Sequence, residues 1–246
     1  MERLAAARQR TYARLRQQQE RVDERFNRLQ SRLEEKAGKT SETQQRIIEA
    51  ALQLLQEDGL ESLTQRKLAL KLDMQAAALY WHFKNKEQLI DYMAEGILAQ
   101  EFTQIEPAAD AEKWQDWFLE HMLRLRKAML RYPDGGRVVA GAHLYPAVTL
   151  AKLTDTGIET VHSAGIDHKT ARHLVFTAVA YTFGCVIEEQ AAPSEQQITD
   201  FGLNLFRGTY PHLARAITDD DRSPQGQDED YLTGLRWIIA GATHHG

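Results

Sequence analysis

The chain is expected to be all-α, with a helical N-terminal extension, a helix-turn-helix domain and a larger helical domain. Three observations predict this. Apolar residues recur at steps of three and four almost throughout, the spacing of helix faces. Gly and Pro punctuate the runs, and alternating strand patterns are missing between them. Between residues 41 and 92 short helical patterns follow one another across a tight turn, as in a helix-turn-helix.

With 246 residues, 43% of them hydrophobic, the chain has material for a substantial core in one large domain or two ordinary ones. No run approaches the ~18 apolar residues of a membrane helix, and the start, "MERLAAARQR", lacks the apolar stretch of a signal peptide. A soluble cytoplasmic protein with no membrane contact is the expectation. The single cysteine, Cys185, excludes an internal disulfide or a cysteine metal cluster and reads as a small buried apolar residue. The net charge of −5 is uneven. Residues 1–39 carry eleven Lys/Arg and six Asp/Glu, a balance of +5, whereas residues 41–92 carry six and eight, a balance of −2. A basic leader before an acidic body points to a polyanion at one end.

In the leader, Tyr12, Leu15, Gln19, Val22, Phe26, Leu29 and Leu33 form a heptad seam with one polar member, which wants a partner helix. The density of Arg3, Arg8, Arg10, Arg14 and Arg16 supports a DNA-gripping arm as well, and the two readings compete. Gly38 ends this segment, and Ser41 with Gln44 makes a capping box for a helix running to Asp58, with Ile47, Ala50, Ala51, Leu54 and Leu55 on its buried face. Gly59 stops it. A shorter helix spans Thr64 to Leu72, with Leu68 and Leu72 on one face. After Asp73 comes a short helix over 75–81, and then Asn85 caps a longer one, with Gln88 at the capping-box position.

Beyond Pro107 the predicted helices are longer: 112–131 before "YPDGG", 146–164, 168–190 before "AAPSE", 195–216 and 228–243. "TDDDRSPQGQDED", residues 218–230, reads as an acidic loop. The 168–190 helix is apolar around much of its circumference, as is "YLTGLRWIIAGA" at 231–242. Such helices are buried on more than one side. Together they suit the two halves of a subunit interface, completed as a four-helix bundle by a second copy.

The 75–81 helix has the composition of a DNA-reading element. Gln75 can pair bidentately with adenine, and Ala76, Ala77 and Ala78 can approach thymine methyls. Tyr80 and His82 carry hydrogen-bonding tips suited to phosphate oxygens, while Leu79, Trp81 and Phe83 would mainly anchor the helix. Lys84 and Lys86 add cationic contacts, Lys86 at a helix start that itself favours phosphate. Thr64, Gln65 and Arg66 open the preceding helix, and Arg66 could reach guanine or the backbone.

These residues also resemble a known family. "IIEAALQLLQEDGLESLTQRKLALKLDMQAAALYWHFKNKEQL" is similar to the DNA-binding domain of the tetracycline-repressor (TetR) family, and "WQD", "DGGRV" and "FGCVIEEQ" extend the likeness to the tetracycline-binding members. It covers residues 41–190 well, the last helices loosely and the first 40 residues not at all. It implies a homodimeric repressor on palindromic double-stranded operator DNA, released by a small apolar or aromatic effector, with no enzymatic activity and no cofactor. Where those members have proline and threonine, this chain has Ala77 and Ala78, so their operator cannot be carried over.

The resemblance places effector contacts at Phe102, His121, Val139, Ala142 and Glu188. The first four replace an imidazole, an amide, a metal-coordinating imidazole and a hydroxyl of the tetracycline-binding members; only Glu188 is retained. With Val139 in place of the imidazole that holds the drug's magnesium ion, no tetracycline response is expected. The 112–131 helix adds Trp117 and Leu125 to the candidate effector residues beside His121, an aromatic set suited to a flat apolar molecule or simply to a core. His143 and Tyr145 are further candidates without a matched role. Neither His162, His168 and His173 nor His244 and His245 have the spacing of a helical zinc pair, so no metal site is predicted. No phosphate loop or nucleophile elbow occurs. The alternative is a helical small-molecule-binding protein or enzyme that has lost DNA binding; Gln75, Tyr80 and Lys86 replaced by alanine distinguish the two.

Overall fold

The computed structural model describes residues 41–192, 207–219 and 223–243, and every regular element among them is helical. The heptad seam and arginines of residues 1–39, most of the helix expected from residue 195, and His244 and His245 lie outside the described residues. The chain divides between Gln45 and Arg46 into two units. Of the first, residues 41–45 are described.

Ser41 Oγ accepts from Gln44 N at 3.2 Å while Ser41 N donates to Gln44 Oε1 at 3.0 Å, the reciprocal pair of a capping box. Helix α1 (Glu42–Ser62) buries Ile47, Ala50, Ala51, Leu54 and Leu55, and Gly59 interrupts it at φ 74°, ψ 176°, a conformation that favours glycine. Thr64 Oγ1 caps α2 (Gln65–Lys71), Leu68 is buried, and a turn with Asp73 at φ 52° leads to α3 (Ala76–His82). Asn85 Oδ1 accepts from Gln88 N at 2.8 Å and starts α4 (Lys86–Ala99). Gln88 Oε1 reaches back to Lys84 N at 2.8 Å, one residue beyond the N-cap N–H of a capping box.

A single 3-10 turn (Ala111–Lys113) precedes α5 (Trp114–Leu130). Then come α6 (Gly135–Ala140), α7 (Val148–Ser163), α8 (His168–Ala191), α9 (Pro211–Asp219) and α10 (Pro224–Thr243). Helix α8 packs against α5, α6, α7 and α10, and α4 packs against α5, α6 and α7. One apolar core runs from Ile47 through Met93, Phe118, Met122 and Leu153 to Leu235. A polar thread crosses it. Tyr231 is buried against a parallel Tyr181 ring at 5.6 Å and its hydroxyl meets Thr182 Oγ1 at 2.7 Å and Met122 O at 3.0 Å. Burial, with Cys185 beside it, pushes the Tyr181 hydroxyl up to about 12.

Three expectations need correction. Residues 224–230 are helical, not loop: Pro224 occupies the first turn of α10, where its missing N–H costs nothing, and Ser223 Oγ accepts from Gly226 N at 3.1 Å. The "YPDGG" break contains the start of a helix, α6, opened by Asp134 at φ 58°. Against the expectation that no segment would qualify, helix α8 has the length and composition of a membrane-crossing helix, yet it lies against four other helices.

Candidate DNA-reading surface and effector site

Helix α3 is fixed on one side and open on the other. Leu79 and Phe83, four residues apart and each 4% exposed, are held in the core, and the Phe83 ring meets Tyr92 edge-on at 5.5 Å. Gln75, the N-cap residue, makes no side-chain cap and is exposed with Ala76 and Ala77; Ala78 is half-buried. His82 is half-buried, and the Tyr80 side chain lies outside the described residues. Trp81 overturns its expected anchoring role: it is 89% exposed. It lies two residues from both Leu79 and Phe83, hence on the opposite face of the helix, and that spacing would have revealed its exposure.

Beside α3, Arg66, Lys84 and Lys86 are exposed. Thr64 is occupied as the α2 cap, its Oγ1 accepting from Lys67 N at 3.2 Å. The remaining lysines of α2 are neutralised locally, Lys67 by Asp58 at 3.0 Å and Lys71 by Glu57 at 2.9 Å. A cleft of about 310 Å³ joins the starts of α2 and α4, lined by Gln65, Asn85 and Lys86 together with core residues such as Leu68 and Leu79.

Three of the expected effector residues come together. The His121 ring stacks on Trp117 at 3.9 Å and on Phe102 at 6.3 Å, and the Arg124 guanidinium lies 4.7 Å over the Phe102 ring. His121 Nδ1 lies 2.8 Å from Trp117 O, so this nitrogen carries the proton and donates it. Burial lowers the His121 pKa, which keeps the ring neutral and leaves Nε2 as an acceptor. Trp117 Nε1 donates to Glu106 O at 2.9 Å. Planar groups stack at about 3.5 Å, so no plane enters between Trp117 and His121, whereas the Phe102–His121 gap falls just short of admitting one. Leu125 and Val139 are fully buried, Ala142 is half-buried where α6 ends, and Glu188 is exposed on α8.

Three ties that the sequence did not reveal link the parts. Buried Asp91 of α4 accepts from His143 N at 2.9 Å and lies 3.2 Å from His143 Nδ1. Glu95, one turn later, accepts from Thr149 N and Thr149 Oγ1, both at 2.8 Å. Asp134 Oδ2 accepts from Leu60 N at 2.9 Å, joining the end of α1 to the start of α6. Exposed apolar residues mark α8 and α10: Phe176 is 51% and Trp237 74% exposed.

Comparison with known proteins agrees with this arrangement. Residues 47–93 match the family described as bacterial regulatory proteins, tetR family, and residues 106–245 match the tetracyclin repressor-like C-terminal domain. Over 197 residues the chain is 36% identical to the tetracycline repressor protein class A from transposon 1721 of Escherichia coli, covering 79% of this chain and 88% of that protein. It is similar to the crystal structure of ActR from Streptomyces coelicolor in complex with (S)-DNPA, with TM-score 0.65 and 26% identity over 80% of this chain and 95% of that one. It is also similar to BioQ with its double-stranded DNA operator, with TM-score 0.54 and 27% identity over 68% of this chain and 97% of that one.

Proposed function

Because the chain belongs to the tetracycline-repressor (TetR) family of bacterial regulatory proteins, we propose that it is a homodimeric transcriptional repressor. It holds a palindromic operator and is released when a small apolar or aromatic molecule enters its C-terminal domain. The observation that carries this reading is α3: Leu79 and Phe83 anchor one face while Gln75, Ala76, Ala77 and Trp81 stand exposed on the rest. In this reading residues 41–92 are the reading head and 93–246 the effector and pairing domain. The leader, at +5 from eleven Lys/Arg and six Asp/Glu, supplements a head whose own balance is −2.

Gln75, Ala76, Ala77 and Ala78 read base edges, and Trp81 joins them as an apolar contact. Tyr80, His82, Lys84 and Lys86 hold phosphate, and Thr64, Gln65 and Arg66 lie on the flanking strand. Two such helices, one per subunit, would enter major grooves about 34–36 Å apart. The similarity to BioQ, whose structure holds its operator, supports this.

The effector meets Phe102, Trp117, His121 and Leu125, and Val139, Ala142 and Glu188 are the further contacts that the resemblance implies. Neutral His121 offers an acceptor at Nε2, which suits a donor group on the effector. Val139 and Ala142 offer no ligand for a chelated metal ion, so tetracyclines are not effectors. The similarity to ActR bound to (S)-DNPA supports a different small molecule. The setting is the cytoplasm, where the operator is.

The test is a variant with Gln75, Tyr80 and Lys86 all replaced by alanine, measured against the DNA upstream of its own gene. A loss of a few kcal/mol in affinity at unchanged melting temperature supports the reading. Equal affinities of variant and wild type overturn it.

A further inference from the structure

Gln190 lies next to the last residue of α8, and its carboxamide grips the turn between α5 and α6. Nε2 donates to Tyr132 O at 2.8 Å and to Met129 O at 3.4 Å, and Oε1 accepts from Gly136 N at 3.0 Å. The turn packs closely on both sides. A Cβ on Gly135 would lie 2.0 Å from Met129 O, and one on Gly136 would lie 2.9 Å from Val186 and 3.2 Å from Ile187 of α8. Between these contacts sits Asp134, held left-handed at φ 58°, whose Oδ2 accepts from Leu60 N. Leu60 follows Gly59, the non-helical residue inside α1, and a Cβ on Gly59 would come within 3.1 Å of the same carboxylate oxygen. The end of α1 therefore rests on a carboxylate whose place is set from α8.

We propose that Gln190 is a positioning residue: through the turn at 132–136 it lets α8, the helix assigned above to subunit pairing, fix the pose of α1 in the reading head. This rests on the reading of the chain as a dimeric DNA-binding regulator. The route does not run through the α4 ties of Asp91 to His143 and Glu95 to Thr149, although α4 also packs on α6 and its C-cap residue Gln100 meets the Tyr132 hydroxyl at 3.1 Å. Two routes give the head two references, the effector domain through α4 and the pairing helix through Gln190.

Amide hydrogen exchange on the intact protein tests this. In Gln190→Ala the Gly136 and Leu60 amides exchange about tenfold faster, the change expected when a hydrogen bond of ordinary strength is lost, while the His143 and Thr149 amides keep their wild-type rates. Asp134→Gly, which keeps the left-handed backbone and removes the acceptor, accelerates Leu60 alone. If Gln190→Ala fails to fold, Gln190→Met fills the same space without the bonds and carries the same expectation. Faster Gly136 exchange with Leu60 unchanged makes Gln190 a local brace and overturns the proposal, as does equal acceleration at His143 and Thr149. Absence of DNA binding by the wild type would overturn the repressor reading and leave the exchange result standing, so the two failures are distinct.

Discussion

Arg126 is the cation on which three helices meet, and replacing it tests how much of the domain depends on it. It is 3% exposed on α5, with Nη2 2.5 Å from Glu189 Oε2 of α8 and Nη1 2.6 Å from Asp228 Oδ1 of α10. Its guanidinium lies 5.5 Å from the Tyr231 ring centre, and its Nε has no hydrogen-bond partner among the described residues. Arg126→Met keeps most of the volume and removes the charge, leaving Lys127, 2.9 Å from Asp228 Oδ2, as the cation beside two carboxylates. Removing one member of a buried ion pair costs about 3–5 kcal/mol. Because the Glu189 and Asp228 side chains are 24% and 23% exposed, the low end applies, about 3 kcal/mol. For a chain of this size that lowers the melting temperature by about 6–12 °C. The assay is thermal and urea unfolding at one fixed protein concentration, since subunit pairing makes stability concentration-dependent. The triple variant Arg126→Met, Glu189→Met, Asp228→Leu should return to within about 1 kcal/mol of wild type, because the uncompensated charges are gone. A single variant as stable as wild type would refute the reasoning.

Three further outcomes follow from the geometry. Burial lowers the His121 pKa, so between that value and about 6.5 the unfolded chain binds a proton that the folded chain refuses; stability is present at pH 7 and falls as pH drops below about 6.5, and His121→Phe removes this component in pH-dependent urea unfolding. Trp81→Ala lowers DNA affinity in an anisotropy titration with no change in melting temperature, whereas Leu79→Ala, 4% exposed in the wild type, costs about 2–5 kcal/mol of stability. Gly135→Ala drives a methyl group to 2.0 Å from a backbone oxygen and destabilises strongly in the same unfolding assay, while Gly184→Ala meets nothing within 4 Å among the described residues and should leave the melting temperature of the subunit unchanged while weakening its dimer in sedimentation.

Much of the reading head was legible because its signals are local. Ser41 and Asn85 each cap the helix they were expected to cap, Thr64 caps the helix that was expected to begin with it, and Gly59 interrupts α1 where its backbone freedom is needed. The stack of Trp117 on His121 was legible too, since residues four apart share a helix face. What escaped depends on distance along the chain. Arg126 finds its partners 63 and 102 residues away, and nothing in its neighbourhood marks it as buried. Helix α6 opens with two glycines, which locally argue against a helix, and the contacts of Gly136 with α8 hold it in place. The early start of α10 was masked by acidic composition, although Ser223 and Pro224 form a recognisable helix start.

The measurement closest to the central claim is a fluorescence-anisotropy titration of the wild-type protein against the DNA upstream of its own gene and its neighbour, at two salt concentrations and with a panel of flat apolar compounds and tetracycline. The account predicts tight, salt-sensitive binding released by an apolar or aromatic compound and unaffected by tetracycline. Absence of binding across the whole region, or release by tetracycline with magnesium, would contradict it.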